Sequence, residues 1–256
     1  MFRLIICLLF SGLAYANDTL APDTVSETQS FQDFLSDVRH QALNQGISST
    51  TLDTAFSTLT PNPAVIKFDR TQAEFSQNFW RYLGSRVSDY RLNKGSQQLK
   101  LHQQTLQKNH QKYGVPAHII VAFWGLETNY GNNTGDLSLV RSLATLSHDK
   151  RRRDFFTKQL LALLKLIDEN KIPFDAKGSW AGAMGNVQFM PTNVAAYGVD
   201  ADQDGEIGLW NNTQDIFASA ANFLQKIGWH RGERWGREVS IPKHFDYQLA
   251  KLSTKK

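Results

Sequence analysis

Cysteine is almost absent from this chain of 256 residues: Cys7, in the apolar stretch near the N-terminus, is the single one. If that stretch is removed, the remaining chain has no thiol, which excludes disulfides, thiolate metal sites and cysteine nucleophiles. The seven histidines show no clustered ligand spacing, so we expect no zinc site. The folded protein must therefore be held together by its hydrophobic core.

Long runs of one charge and long apolar runs are also lacking. The formal net charge is +4, and the longest basic run, residues 151–153, is followed by Asp154. Such a triplet is usually a solvated helix start, so we expect no nucleic-acid binding. Past residue 16 no segment approaches the roughly 20 apolar residues of a spanning helix, so we expect no membrane anchor. With 41% hydrophobic and 20% charged residues, the composition indicates a globular protein.

The N-terminus has the pattern of an export signal. A short basic start, residues 1–3, precedes an apolar stretch over 4–13 and the small-residue pattern Ala14-Tyr15-Ala16. We therefore predict that residues 1–16 are cleaved and that the protein is exported to the periplasm. Ile6 precedes Cys7 and the apolar run continues beyond it, so we expect no lipid on that cysteine. Residues 17–29 are polar and predict a flexible mature N-terminus.

Hydrophobic periodicity predicts a mainly α protein with little β. The stretch 178–208 is rich in Gly and Asn and predicts loop with one short helix after Pro191. The first helix is predicted to begin at Ser30, and the second covers residues 51–59 and is ended by Pro61 and Pro63. Further helices are predicted over residues 76–91, 95–113, 116–130, 137–147, 152–170 and 215–227.

Glu127 follows the apolar residues 119–126 and shares a helical stripe with Ile120, Phe123 and Trp124. A helix that is apolar on every face is expected to be buried. A carboxyl beside aromatic rings in a dry setting should have a raised pKa, because burial disfavours the anion. That property suits a general acid for glycoside cleavage. The alternative is a helix-end glutamate whose carboxylate reaches water or caps a neighbouring segment.

Three parts of the chain resemble motifs of the B-type lytic murein transglycosylases, glycoside hydrolase family 103. The first is residues 122–131, AFWGLETNYG, and the second is residues 179–191, SWAGAMGNVQFMP. The third is residues 199–205, VDADQDG, together with 209–211, LWN. The likeness runs in order over about residues 31–247.

The resemblance implies a lysozyme-like, mainly helical transglycosylase domain over residues 30–256. It implies cleavage of the β-1,4 bond between N-acetylmuramic acid and N-acetylglucosamine in peptidoglycan, without water, to give a 1,6-anhydromuramyl end. Glu127 matches the family's single catalytic glutamate, which acts first as acid and then as base. No second carboxylate lies within a few residues of it, and the nearest later acid is Asp136.

Substrate-binding positions of the family match Ser179 and Gln188, and a tyrosine of its last helix is Phe223 here. The amide of Gln188 can donate to and accept from a sugar, although a loop amide can equally bind main chain. The ring of Phe223 could still line a groove without the hydroxyl. Among six tryptophans, which are mostly expected in the core or groove wall, Trp180 is the one predicted to contact sugar.

An acidic loop over residues 200–215 resembles a calcium loop, with Asp200, Asp202 and Asp204 at the first three ligand positions. Glu206 would add a main-chain carbonyl, but the usual glutamate at position 12 is Asn211. The family completes its site with an Asp that matches Asp215. Three carboxylates within five residues repel one another, so a structural Ca²⁺ is predicted. The alternatives are a solvated Asp/Gly turn and, for Asp215, an acid favoured by the helix dipole.

The chain stops at Lys256, whereas family members usually continue for several tens of residues with a segment that closes the sugar groove. Three functions therefore remain open at this point. They are a lytic transglycosylase, a hydrolytic muramidase with a second carboxylate 6 to 9 Å from Glu127, and a non-catalytic peptidoglycan-binding scaffold.

Overall fold

The computed structural model describes residues 29–71 and 79–250. Residues 29–71 and 79–231 belong to one compact unit, and residues 232–250 belong to a second. The predicted export signal and nearly all of the segment 17–29 lie outside the described residues. None of the helices in the described ranges has the length and apolar character needed to cross a membrane.

The predicted class, mainly α with little β, is confirmed. In its described part the larger unit has one antiparallel sheet of two short strands, β1 (Leu137–Ser138) and β2 (Lys177–Gly178), in which Leu137 pairs with Gly178. The helices are α1 (Phe31–Asn44), α2 (Ser49–Phe56), α3 (Pro63–Arg70), α4 (Phe79–Arg86), α5 (Asp89–Leu101), α6 (Gln103–Tyr113), α7 (Ala117–Thr128), α8 (Leu139–His148), α9 (Arg153–Asp168), α10 (Pro191–Tyr197) and α11 (Thr213–Lys226).

Helix boundaries between residues 49 and 113 differ from the prediction. The helix α3 was not expected, because Pro63 was interpreted only as the end of α2. The Asn62 side chain instead accepts the N–H of Ala64 at 3.1 Å, and Pro63 occupies the first helical turn, where proline is favoured. Ser88 similarly caps a new helix, accepting the N–H of Arg91 at 3.3 Å, so α5 begins six residues before the predicted Gly95.

The core of the larger unit lies between α8, α9 and α10, and continues to α11 and α6. Fully buried leucines of α8 and α9 form the centre of this core: Leu139, Leu143, Leu146, Leu160, Leu163 and Leu164. Asp168 at the end of α9 accepts hydrogen bonds from Ser48 and Thr51, which fixes the start of α2 on α9. Helix α7 packs against α5, α6 and α11, and this places its C-terminal end among several segments.

The basic triplet Arg151–Arg153 lies at the start of α9 as expected, but it is not simply solvated. Arg151 and Arg152 form ion pairs with Asp69 of α3, a carboxylate that is only 3% exposed. The guanidinium of Arg153 lies 5.4 Å from the ring centroid of Phe34 in α1. The triplet therefore joins α3 and α1 to the start of α9.

In the second unit, the described residues 232–250 consist of turns and a short 3-10 helix at Tyr247–Ala250. The rings of Phe245 and Tyr247 make an edge contact, with centroids 5.4 Å apart. Asp246 accepts the N–H of Gln248 at 2.9 Å, which caps this last turn.

Candidate active site

Glu127 is the penultimate residue of α7 and is half-buried. Burial raises its pKa to about 8, while the positive charge of Arg86 acts in the opposite direction. The structure therefore agrees with the predicted upward shift of this pKa. Near neutral pH most copies of this carboxyl carry a proton, as a general acid requires.

Helix α7 is not enclosed on every side, which corrects the expectation of a helix buried all round. Ile120, Val121 and Trp124 are buried, whereas Leu126 is 43% exposed and Ala122 is also exposed. The exposed strip borders Glu127. A ligand can therefore approach this end of the helix from solvent.

Trp124 lies one turn before Glu127, and its indole is held by an unexpected partner. Its Nε1 donates to Oδ1 of Asn186 at 2.6 Å. The Nδ2 of Asn186 donates to the carbonyls of Leu209 and Trp210, and the Asn186 carbonyl accepts from the hydroxyl of Thr128 at 2.9 Å. Asn186 is 3% exposed. It therefore joins the end of α7 to the second and third motif segments.

The chain leaves α7 through three consecutive residues with positive φ: Asn129 (53°), Tyr130 (60°) and Gly131 (86°). This path folds the Tyr130 ring back over Gly125, where an added Cβ would lie 2.6 Å from Tyr130 atoms. The Tyr130 hydroxyl donates to the carbonyl of Arg91 in α5 at 2.8 Å. The helix end that carries Glu127 is thus fastened to α5.

The predicted sugar-contact residues Ser179 and Trp180 lie in a tight turn directly after β2. Ser179 Oγ accepts the N–H of Ala183 at 3.0 Å, and the Ser179 carbonyl accepts the N–H of Gly182. Both Ser179 and Trp180 are half-buried. The Ser179 hydroxyl proton is not used in the bond to Ala183, so it can still be donated to a ligand.

Gln188 behaves as the loop amide that was the alternative interpretation. Its Nε2 donates to the carbonyls of Thr134 at 3.1 Å and Gly185 at 3.0 Å, and its backbone has a φ of 47°. Both amide hydrogens are used by main chain, so the side-chain oxygen remains for a donor on the sugar. Gln188 also joins the second motif segment to the turn that follows α7.

Phe223 in α11 is only 5% exposed, so its ring does not line an open groove as expected. It packs almost parallel to Phe123 of α7, with ring centroids 6.2 Å apart. Phe189 and Tyr197 complete the cluster. The cluster packs against α7 one turn before Glu127.

The predicted metal ligands come together. Asp200, Asp202, Asp204 and Asp215 each offer a carboxylate oxygen, and these oxygens lie within 4.8 Å of one another. Burial raises the pKa of Asp215, and the nearby Asp202 and Asp200 charges add to this effect. Main-chain N–H groups oppose it. Four carboxyl groups this close fit a hard cation such as Ca²⁺.

The acidic loop is ordered by its own hydrogen bonds. Asp215 accepts the N–H groups of Ala201 and Gly208, both at 2.7 Å, and Asp200 accepts those of Asp204 and Gly205. Glu206, whose carbonyl is the fifth predicted ligand, follows immediately in the chain. Gly208 directly precedes Leu209 and Trp210, whose carbonyls accept from Asn186. The acidic loop is therefore connected along the chain to the residues that hold the end of α7.

Arg86, Arg91 and Asn186 escaped the sequence prediction. Asn186 lies within the second motif, but nothing in the sequence distinguishes a buried connecting amide from a loop amide. Arg86 and Arg91 lie outside all three motifs, in a stretch that was expected to be one amphipathic helix.

Comparison with known proteins identifies the family of this chain. The model of the family described as the transglycosylase SLT domain matches residues 30–256. The chain belongs to this family. SltB3 of Pseudomonas aeruginosa, solved in complex with NAG-NAM-pentapeptide, is similar in structure with a TM-score of 0.84 and 43% sequence identity. That match covers 89% of this chain and confirms the expected lysozyme-like transglycosylase fold.

Two Escherichia coli proteins are also similar. Membrane-bound lytic murein transglycosylase B of strain K12 is 37% identical over 161 residues, which is 59% of this chain. Lytic transglycosylase Slt35, solved in complex with calcium, has a TM-score of 0.68 and 32% identity over 80% of this chain. The chain spans 44% of the length of transglycosylase B, 61% of SltB3 and 64% of Slt35.

Proposed function

We propose that this protein is a peptidoglycan lytic transglycosylase in which Glu127 acts as general acid and then as general base. The observation that carries the proposal is the half-buried Glu127 carboxyl, with a pKa of about 8, at the solvent-facing end of α7. The family membership supports it. So do the complexes of SltB3 with NAG-NAM-pentapeptide and NAG-anhNAM-pentapeptide.

The reaction consists of two proton transfers at one carboxyl. Glu127 donates its proton to the glycosidic oxygen as the bond from muramyl C1 to that oxygen breaks, and N-acetylglucosamine leaves with a hydroxyl. The muramyl C6 oxygen then bonds to C1 and gives its proton to the Glu127 carboxylate. The carboxyl returns to its starting state, and no water is consumed.

A hydrolytic muramidase is less well supported. It needs a second carboxylate placed to activate water opposite the general acid. The similar proteins named as lytic transglycosylases favour the non-hydrolytic reaction over this alternative.

The experiment is a digest of purified sacculi followed by mass spectrometry. The wild-type protein is expected to release 1,6-anhydromuropeptides, and Glu127→Gln to lose a factor of roughly 10² to 10⁴ in turnover. The matched control is Glu169→Gln, which removes an exposed carboxylate at the end of α9. Hydrated reducing ends would identify a muramidase instead. Glycan binding by a wild type that releases no product would identify a scaffold.

Substrate contacts follow from the same site. We propose that Ser179 donates its free hydroxyl proton, that Gln188 accepts through its side-chain oxygen, and that Trp180 stacks on a sugar face. Phe223 supports α7 from within the aromatic cluster. The ligand is a peptidoglycan glycan strand.

We also propose that the acidic loop holds one structural Ca²⁺. Its ligands would be Asp200, Asp202, Asp204, Asp215 and the Glu206 carbonyl. The raised pKa of Asp215 supports a cation, because burial and like charges make its anion costly without one. The calcium complex of Slt35 points in the same direction. The ion would neutralise the loop and takes no part in the two proton transfers.

The place of action is proposed to be the periplasm, reached through the export signal at residues 1–16. Peptidoglycan lies outside the inner membrane, so the substrate requires export. Mass analysis of the mature N-terminus tests this proposal, with Asn17 as the expected first residue and no acyl chain.

A further inference from the structure

Arg86 is the last residue of α4, and its guanidinium can still donate a hydrogen bond. Its guanidinium carbon lies 5.3 Å from the ring centroid of Tyr82, one turn earlier in the same helix. Its Nε is buried, and no hydrogen-bond partner for it is found among the described residues. Buried donors are normally paired, and the cost of leaving one unpaired is substantial.

Arg91, in the first turn of α5, connects the end of α4 to the turn that begins two residues after Glu127. Its Nη1 donates to the carbonyl of Arg86 at 2.8 Å, and its Nε donates to Oδ1 of Asn129 at 3.4 Å. Its own carbonyl accepts from the hydroxyl of Tyr130. One residue therefore holds the last residue of α4 and the two residues that cap the end of α7.

The electrostatic surroundings of Glu127 single out Arg86. Helix α7 packs against α5, α6 and α11. The titratable or charged side chains on these helices and at the junction of α5 and α6 are those of Asp89, Tyr90, Arg91, Lys94, Lys100, His102, Lys108, His110, Lys112, Tyr113, Asp215 and Lys226. Helix α7 itself adds His118, and Tyr130 follows it. Burial lowers the pKa of His102, which keeps that ring neutral near pH 7. The cation that acts on the Glu127 carboxyl is Arg86.

We propose that Arg86 is the charge partner of Glu127 during turnover, and that Arg91 is the positioning residue that holds the two together. The proposal rests on the proposed function, since it assigns Glu127 two protonation states in one cycle. Burial alone favours the protonated form, which serves the first transfer but opposes formation of the carboxylate needed for the second. A nearby fixed cation stabilises that carboxylate when it forms.

The test measures the Glu127 carboxyl directly, by ¹³C NMR of the full chain with labelled glutamate δ-carboxyls. Its resonance is identified by its loss in Glu127→Gln. Arg86→Gln is expected to move the Glu127 titration and the alkaline limb of anhydromuropeptide release to higher pH. Arg86→Lys, which keeps the charge, should stay near wild type. Lys100→Gln removes one exposed charge from α5 and should change neither.

Arg91→Ala is expected to move the Glu127 titration in the same direction as Arg86→Gln, and to lower turnover roughly 10- to 100-fold, since catalysis is sensitive to small displacements. A Glu127 titration that is unchanged in Arg86→Gln would overturn the charge partnership. A fall in melting temperature of Arg91→Ala with an unmoved titration would overturn the positioning role. If the titrations move as expected but wild type releases no anhydromuropeptide, the partnership stands and the proposed function fails.

Discussion

At the scale of single residues, the proposed reaction requires one carboxyl group, that of Glu127, to give a proton and take one back within the same cycle. Burial at the end of α7 raises the pKa of Glu127, and Arg86 limits how far it rises. A fully dry carboxyl without a cation would donate poorly because its anion would be too costly. The structure therefore combines a half-buried acid with a cation held on a different helix.

The raised pKa of Glu127 predicts a dependence of stability on pH. Its ordinary pKa of 4.5 applies to the unfolded chain, and the folded value is about 8, so the folded protein binds more protons between these limits. The contribution to the free energy of unfolding is fully present below pH 4.5. It is lost as pH rises towards 8, on the order of 5 kcal/mol in total.

Glu127→Gln should lack this dependence. Urea denaturation of wild type and Glu127→Gln at several pH values between 4.5 and 8.5 measures the difference, with Glu169→Gln as control. Parallel curves for wild type and Glu127→Gln would contradict the assigned pKa.

At the scale of elements, the geometry at the end of α7 depends on a close approach. Gly125 lies mid-helix, where alanine is normally better by about 1 kcal/mol. An added Cβ would however lie 2.6 Å from the Tyr130 ring, and that ring cannot withdraw without breaking its bond to the Arg91 carbonyl. Packing therefore outweighs helix propensity at this position.

Gly125→Ala is predicted to destabilise the protein by about 1–3 kcal/mol, since overpacking costs more than helix propensity returns. It should also lower turnover, because Glu127 lies two residues further along the helix. Gly84→Ala is the matched control in α4, where a Cβ would meet nothing within 4 Å. That variant should be stabilised by about 0.5–1 kcal/mol. Thermal unfolding of both variants checks the contrast, and equal changes in the two would refute it.

Elements with strong periodicity could be predicted from the sequence, and those set by caps were partly missed. The ends of α9 and α11 lie close to their predicted positions, since long amphipathic patterns define them. Pro63 and Ser88 are ambiguous signals, because proline both ends and begins helices and serine is common in loops. The Trp124–Asn186 bond joins residues 62 positions apart, and no local pattern reports such a contact.

At the scale of the whole molecule, the acidic loop and Glu127 belong to one connected arrangement. Asp215 orders the loop through Gly208, and the carbonyl of Leu209 accepts from both the main chain and the side chain of Asn186. Asn186 in turn holds Trp124. An ion in the loop would therefore stabilise residues that support Glu127.

Calcium is predicted to raise the melting temperature. Binding to the folded state alone contributes about 2.7 kcal/mol at 100-fold excess over Kd. For a chain of this size that is a rise of roughly 5–10 °C. The Asp204→Asn variant, which loses one exposed loop charge, should show a much smaller rise, while the exposed Asp175→Asn outside the loop should match wild type. Melting curves that coincide in chelator and in millimolar calcium would exclude the site.

The bonds of Asn186 also determine how the protein opens. One side chain accepts from α7 and donates to the chain after the acidic loop, while its main chain bonds Leu209 and Thr128. A thermal fluctuation that releases one of these segments leaves part of the Asn186 hydrogen bonding unsatisfied, so we expect the opening of the others to be coupled to it. Local unfolding here is then expected to be cooperative. It would take Glu127, the acidic loop and the second motif out of register at once, while the leucine core of α8 and α9 stays folded.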